Sequence, residues 1–240
     1  MKNVGFTLAE VLITLSIIGV VAAITMPVLI QKHREHVTVN RLLKAYSVVS
    51  NAFQMAVQEK GEVKYWYSVA SGTEKDENGE YHYTDATYQN MNAFYNNLAP
   101  YLKVISVKEA NSTNHTDFYL LNGTLVTQSL ANTGALNLAD GTSIIGGYLY
   151  SICNESNGCG DFAIDINGIN TLPNTIGKDI FYFVIFPNKI VPMGTNGQRE
   201  NLNRYCNTSA DNDSSGFGCT GWIIHKKNMD YLKRDISNEY

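Results

Sequence analysis

MKNVGFTLAEVLITLSIIGVVAAITMPVLIQKHRE, residues 1–35, decides how the rest of the chain is read. From Phe6 to Ile30 it is almost wholly Phe, Leu, Ile, Val and Ala, with small hydroxylated residues between. As helix, that run is about 37 Å long against a hydrocarbon core of roughly 30 Å, enough to span a membrane. Glu10 lies inside it. A carboxylate in a membrane-spanning helix is costly to bury and implies a function with a definite partner. A secretory signal peptide does not fit, because its apolar core is about 7–15 residues and ends at a small-residue cleavage site. A plain single-span anchor explains the length and leaves Gly5, Glu10 and Pro27 without a role. Only Lys2 precedes the run, whereas Lys32 and Arg34 follow it, so a positive-inside count weakly favours a cytoplasmic C-terminus. The cysteines argue for the opposite orientation.

Those cysteines, Cys153, Cys159, Cys206 and Cys219, all lie in the C-terminal part of the chain. Their C-x5-C and C-x12-C spacings differ from the short ligand pairs of structural zinc sites, and only His225 lies near any of them. Disulfides fit better, which places the domain outside the cytoplasm. Of the three possible connectivities, the local pairs Cys153–Cys159 and Cys206–Cys219 are favoured. Each contributes roughly 2–3 kcal/mol by loop closure.

Beyond Ile30 the pattern turns amphipathic. Val39, Leu42, Leu43, Tyr46, Val49, Phe53, Ala56 and Val57 recur at steps of three and four, one face of a helix reaching Glu59 and stopped by Gly61. Pro27 is expected to kink or loosen it. Residues 61–85 are polar and turn-rich, and read as a surface loop. Ala86–Val104 carries Met91, Phe94, Tyr95, Leu98, Tyr101 and Leu102 at helical spacing, with Pro100 able to end the helix at Leu98 or Ala99. Strand signals follow at Phe118–Leu121, Thr124–Ser129, Thr142–Tyr150, Phe162–Ile166, Ile180–Phe186 and Trp222–His225, punctuated by Asn-Gly, Asp-Gly and Pro-Asn. A long N-terminal helix followed by successive strands implies an α+β fold, with an antiparallel sheet packed on that helix.

With 44% hydrophobic residues over 240 positions, the chain can bury one ordinary core or two small ones. Its net charge of −4 argues against a nucleic-acid surface. No H-E-x-x-H, G-x-S-x-G, P-loop or G-x-G-x-x-G motif occurs, so no catalytic residues are assigned and no enzyme activity is expected. His33 and His36 read as a solvated helix face, and Asp165-Ile-Asn-Gly168 as a turn between strands. Asp211-Asn-Asp-Ser-Ser-Gly216 matches the first half of a calcium loop, but Trp222 stands where the closing glutamate belongs. No metal or other cofactor is therefore required, and calcium at that loop is the alternative.

Gly5-Phe6-Thr7-Leu8-Ala9-Glu10-Val11-Leu12 resembles the signature of type IV prepilins and type II secretion pseudopilins. The resemblance covers about the first 30 residues, and Pro27 falls where many pilins carry a proline. It implies a leader over residues 1–5, cut between Gly5 and Phe6 by a prepilin peptidase that then methylates the new terminus at Phe6. It further implies that Glu10 compensates the amine of a neighbouring subunit during assembly. Residues 6–30 would form the membrane or filament-core helix, 31–60 its amphipathic continuation, and 61–240 an extracytoplasmic head. DFAIDINGINTLPNTIGKDIFYFVIF and CTGWIIHKKNMDYL resemble, more loosely, prepilin-like type II secretion proteins. The implied partners are the peptidase/N-methyltransferase, other pilin or pseudopilin subunits and the bacterial inner membrane, spanned once, without nucleic acid. The contrasting reading is a single-span anchored binding or sensor domain.

Overall fold

In the computed structural model the chain divides into two compact units, Met1–Val37 and Thr38–Tyr240. The structure describes residues 5, 7–67, 71–75, 77, 81–111, 117–126, 133–195, 205–208, 214–236 and 239. Helix α1 (Leu8–Lys60) runs uninterrupted through Pro27. It ends at Gly61, whose φ of +80° suits a left-handed cap and whose N–H donates to the Val57 carbonyl at 2.9 Å.

In the first unit, every side chain from Leu8 to Ile30 is exposed except half-buried Ala22. In the second, Val39, Leu42, Ala45, Val49, Ala52, Phe53 and Ala56 of α1 are buried. The sequence periodicity identifies the large members of that face. It misses Ala45 and Ala52, whose small side chains complete it.

That face packs on a six-stranded antiparallel sheet in the order β10-β9-β8-β7-β6-β3. The strands are β3 (Val104–Lys108), β6 (Ala135–Leu138), β7 (Ser143–Asn154), β8 (Gly158–Asp165), β9 (Ile180–Ile185) and β10 (Ile190–Pro192). Alternate residues serve opposite faces of the sheet. Phe162, Ile164, Phe181, Phe183 and Ile185 join the core with α1 and α2, whereas Ala163, Ile180, Tyr182 and Val184 join a second core on the other side. Two further two-stranded pairs are β1 (Thr73–Lys75) with β2 (Tyr81–Tyr83), and β4 (Phe118–Tyr119) with β5 (Leu125–Val126).

A run of rings fastens the first core. Tyr46 of α1 stacks on Phe183 at 5.3 Å, Phe183 on Phe162 at 5.4 Å, and Phe162 meets Phe94 at 5.5 Å. Phe94 faces Trp66 at 6.4 Å, and Trp66 returns to Phe53 of α1 at 5.5 Å. Helix α2 (Asp85–Leu98), which supplies Phe94, is capped by the Thr84 side chain accepting from Thr87 N–H. It comes close to β7 at a register break between Ile145 and Tyr148. There Gly147 has φ +76°, and a Cβ on it would lie 2.7 Å from Phe94 Cδ1. Tyr95 of α2 donates its hydroxyl to the carbonyls of this region, among them Gly146 at 2.8 Å.

Several sequence expectations are corrected. Trp222–His225 is not a strand but part of helix α3 (Cys219–Lys226), ended by left-handed Lys227. A run as short as Trp-Ile-Ile carries too little periodicity to separate the two states. The 61–85 stretch is more than a surface loop, because Val63 and Trp66 are buried and β1 and β2 pair within it. Helix α2 stops at Leu98, followed by a 3-10 turn at Ala99–Tyr101, and Val104 opens β3 instead of closing a helix. Strands β6 and β10 were not read from the sequence. Residues 127–129 of the expected Thr124–Ser129 strand lie outside the described residues. The cysteines pair as Cys153–Cys159 and Cys206–Cys219.

Truncating Phe53 to alanine is expected to cost the second unit about 3–5 kcal/mol, as for other buried phenylalanines. Met55→Ala, at a side chain 52% exposed on the same helix, should stay within about 0.5 kcal/mol. Urea unfolding of the full chain in detergent measures both, and equal costs would contradict the assigned face.

Candidate functional site: the capped start of the apolar helix

Helices begin with unpaired N–H groups, and a helix in an apolar medium must satisfy them internally. Thr7 and Glu10 do this reciprocally. Thr7 Oγ1 accepts from Glu10 N–H at 3.3 Å, while Glu10 Oε2 accepts from Thr7 N–H at 2.8 Å and from the Thr7 hydroxyl at 2.7 Å. This T-x-x-E arrangement is a capping box, with Thr7 at the N-cap and Glu10 three residues on. The Val11 N–H then reaches the Thr7 carbonyl at 3.3 Å and starts the helical ladder. A carboxylate in the first turn also meets the positive end of the helix dipole.

The polar groups that follow are satisfied within the helix. Thr14 donates to the Val11 carbonyl at 3.0 Å, Ser16 to Leu12 at 2.8 Å and Thr25 to Val21 at 2.9 Å. Glu10 is thus the only formally charged side chain between Thr7 and Ile30. Both of its hydrogen bonds fall on Oε2, and Oε1 meets no donor among the described residues. Around it Leu8, Leu12, Ile13 and Ile17 are exposed. A contiguous apolar surface of this length is more than soluble monomers carry and calls for lipid or partner subunits. Helix α1 is long and apolar enough to cross a membrane.

Gly5 is exposed and precedes the cap, with no atom within 4 Å of where a Cβ would stand. Phe6 lies outside the described residues. Among the described residues, the partner of the Glu10 carboxylate is Thr7. Thr7 is the residue the sequence reading overlooked, although threonine three positions before glutamate at the head of an apolar run is the signal for it. Asp211 and Asp213 of the possible calcium loop also lie outside the described residues. Among the described residues, no group of three or more His, Cys, Asp or Glu side chains is placed to hold a metal.

A family of unknown function, DUF6613, matches residues 28–228. The chain belongs to that family. A prokaryotic N-terminal methylation motif matches residues 2–26 and supports the type IV prepilin-like signature. Taken with the apolar helix, that motif marks a pilin-like structural subunit, subject to prepilin-type processing and fitted to membrane anchoring. No curated protein and no solved structure matches the chain.

Removing the cap should loosen only the first turn. Thr7→Ala is expected to raise amide hydrogen exchange at Glu10 and Val11 about fivefold, the equivalent of about 1 kcal/mol of capping, and Thr7→Ser should restore it. Unchanged exchange in Thr7→Ala would contradict the capping role.

Proposed function

We propose that the chain is a structural subunit of a pseudopilus or pilus-like filament. It enters the bacterial inner membrane through residues 6–30, with the disulfide-bonded head outside the cytoplasm. A prepilin peptidase cuts between Gly5 and Phe6 and methylates Phe6, and the subunit then polymerises with copies of itself or related subunits. The observation that carries this reading is the methylation motif over residues 2–26, set on an apolar helix whose side chains from Leu8 to Ile30 are exposed but for half-buried Ala22. No catalytic role of its own enters the reading.

Cleavage would leave a cationic amine at Phe6, next to the capping residue. Opposite charges in low dielectric attract strongly, and an unpaired one there is expensive. In the monomer the Glu10 carboxylate is held by Thr7, so a neighbour's amine would be accepted at Oε1 without dismantling the cap. One carboxylate would then both start the helix and set the axial register of the next subunit, as single buried polar groups do in coiled coils.

Substitutions separate those two duties. Glutamine keeps the capping-box geometry and lacks the charge. Glu10→Gln and Glu10→Val are expected to insert and be cleaved normally, yet to lose the sheared filament fraction when expressed with a prepilin peptidase and an assembly system. Wild-type assembly by Glu10→Gln would overturn the charge role. A wild-type chain that stays uncleaved and unpolymerised would overturn the filament reading.

A further inference from the structure

Beside the register break in β7, the second unit holds a cavity of about 220 Å³ bounded by Tyr83, Gly146, Tyr148, Asp161, Tyr182 and Phe217. Sites that enclose whole drug-sized ligands run to roughly 300–1,000 Å³, so a cavity of this size suits a single head group. Filament assembly through the apolar helix makes no use of it.

Strand pairing explains why rings and a carboxylate converge there. Asp161 of β8 lies directly opposite Tyr148 of β7 on one side and Val184 of β9 on the other. Tyr182, two residues before Val184, is its diagonal neighbour on the same face of the sheet, within reach of a long side chain. The ring of Tyr83, at the end of β2, packs on Tyr148 with centroids 5.5 Å apart, and Phe217 stacks on Tyr182 at 4.2 Å. Two ring pairs therefore flank one carboxylate. The Tyr150 hydroxyl donates to Asp161 Oδ2 at 2.7 Å and holds that carboxylate in place. Gly146 brings no side chain into the space. Burial raises the Tyr83, Tyr148 and Tyr182 hydroxyls above the usual tyrosine range, and the Asp161 charge adds to all three. The negative potential of the carboxylate thus reaches every tyrosine of the cavity.

We infer that this cavity binds a methylated ammonium head group of the choline type. Aromatic faces are the negative side of the ring quadrupole and attract a cation within about 6 Å of the centroid, most strongly where water is excluded. Among the described residues that line the cavity, Asp161 bears the only formal charge, which favours a cation over a neutral or anionic group. A primary ammonium carries three donors and needs acceptors for them. Here the walls are mainly ring carbon, and the Gly146 carbonyl already accepts from the Tyr95 hydroxyl. Methyl groups ask for no hydrogen bonds and spread the charge over apolar walls.

Calorimetric titration of the full-length chain in maltoside detergent with choline chloride tests the assignment. The control is the neutral alcohol in which a tert-butyl group replaces the trimethylammonium of choline. The expected result is saturable heat near one choline per chain, with the alcohol bound about tenfold more weakly. Asp161→Asn and Tyr148→Leu should each weaken choline binding by about tenfold, whereas Tyr148→Phe, which keeps the ring, should bind as the wild type does. Tyr148 is half-buried, so its two variants keep the assignment testable if Asp161→Asn fails to fold. No saturable heat from the wild type at millimolar choline would overturn the site. Equal affinity for the neutral alcohol would overturn the cation and leave an apolar cavity. Unchanged affinity in a folded Tyr148→Leu chain would overturn the role of the rings.

Discussion

The second unit depends on a circuit of six aromatic rings that leaves α1 at Tyr46 and returns to it at Phe53. Each contact is within the 4.5–7 Å range in which aromatic pairs add about 0.5–1.5 kcal/mol beyond burial. The circuit passes through β9, β8 and α2, so the stretch of α1 from Tyr46 to Phe53 is bound to two strands of the sheet and to the second helix. It also sets a demand on β7. Phe94 reaches Phe162 only where Gly147 leaves the room a side chain would take. Propensity alone would favour neither residue in its element, and packing overrides it.

The same helix meets the opposite demand in the first unit. There it buries almost nothing and keeps its polar atoms to itself, with hydroxyls turned back on carbonyls and a glutamate turned back on a threonine. This economy is what a segment needs if it is to exchange lipid for protein neighbours without changing its own hydrogen bonding. The carboxylate is no longer an isolated charge in an apolar run. It is the cap of the helix, with one oxygen left for a partner.

Long, strongly periodic elements were legible in the sequence. The extent of α1, the α2 face around Met91, Phe94 and Leu98, and the β7, β8 and β9 strands follow from spacing and turn residues. Short elements were not. Trp222 and Ile223 are equally apolar in a strand or a helix, and Trp66 stands alone in a polar stretch, so its burial arises from tertiary contact with Phe53 and Phe94. At the helix start, Glu10 drew notice because a charge is conspicuous among apolar residues. Thr7 did not, because its part emerges only when the cap is seen to close. The Asp165–Gly168 stretch reads as a turn by composition, and only the fold shows that Asp165 is fully buried.

A filament subunit must be processed at its apolar helix and not merely anchored by it. The intact mass and N-terminal sequence of the protein recovered from a bacterium with a prepilin peptidase test this most directly. Such processing yields a chain beginning at N-methylated Phe6. A chain beginning at Met1, or near Gln31, would contradict it.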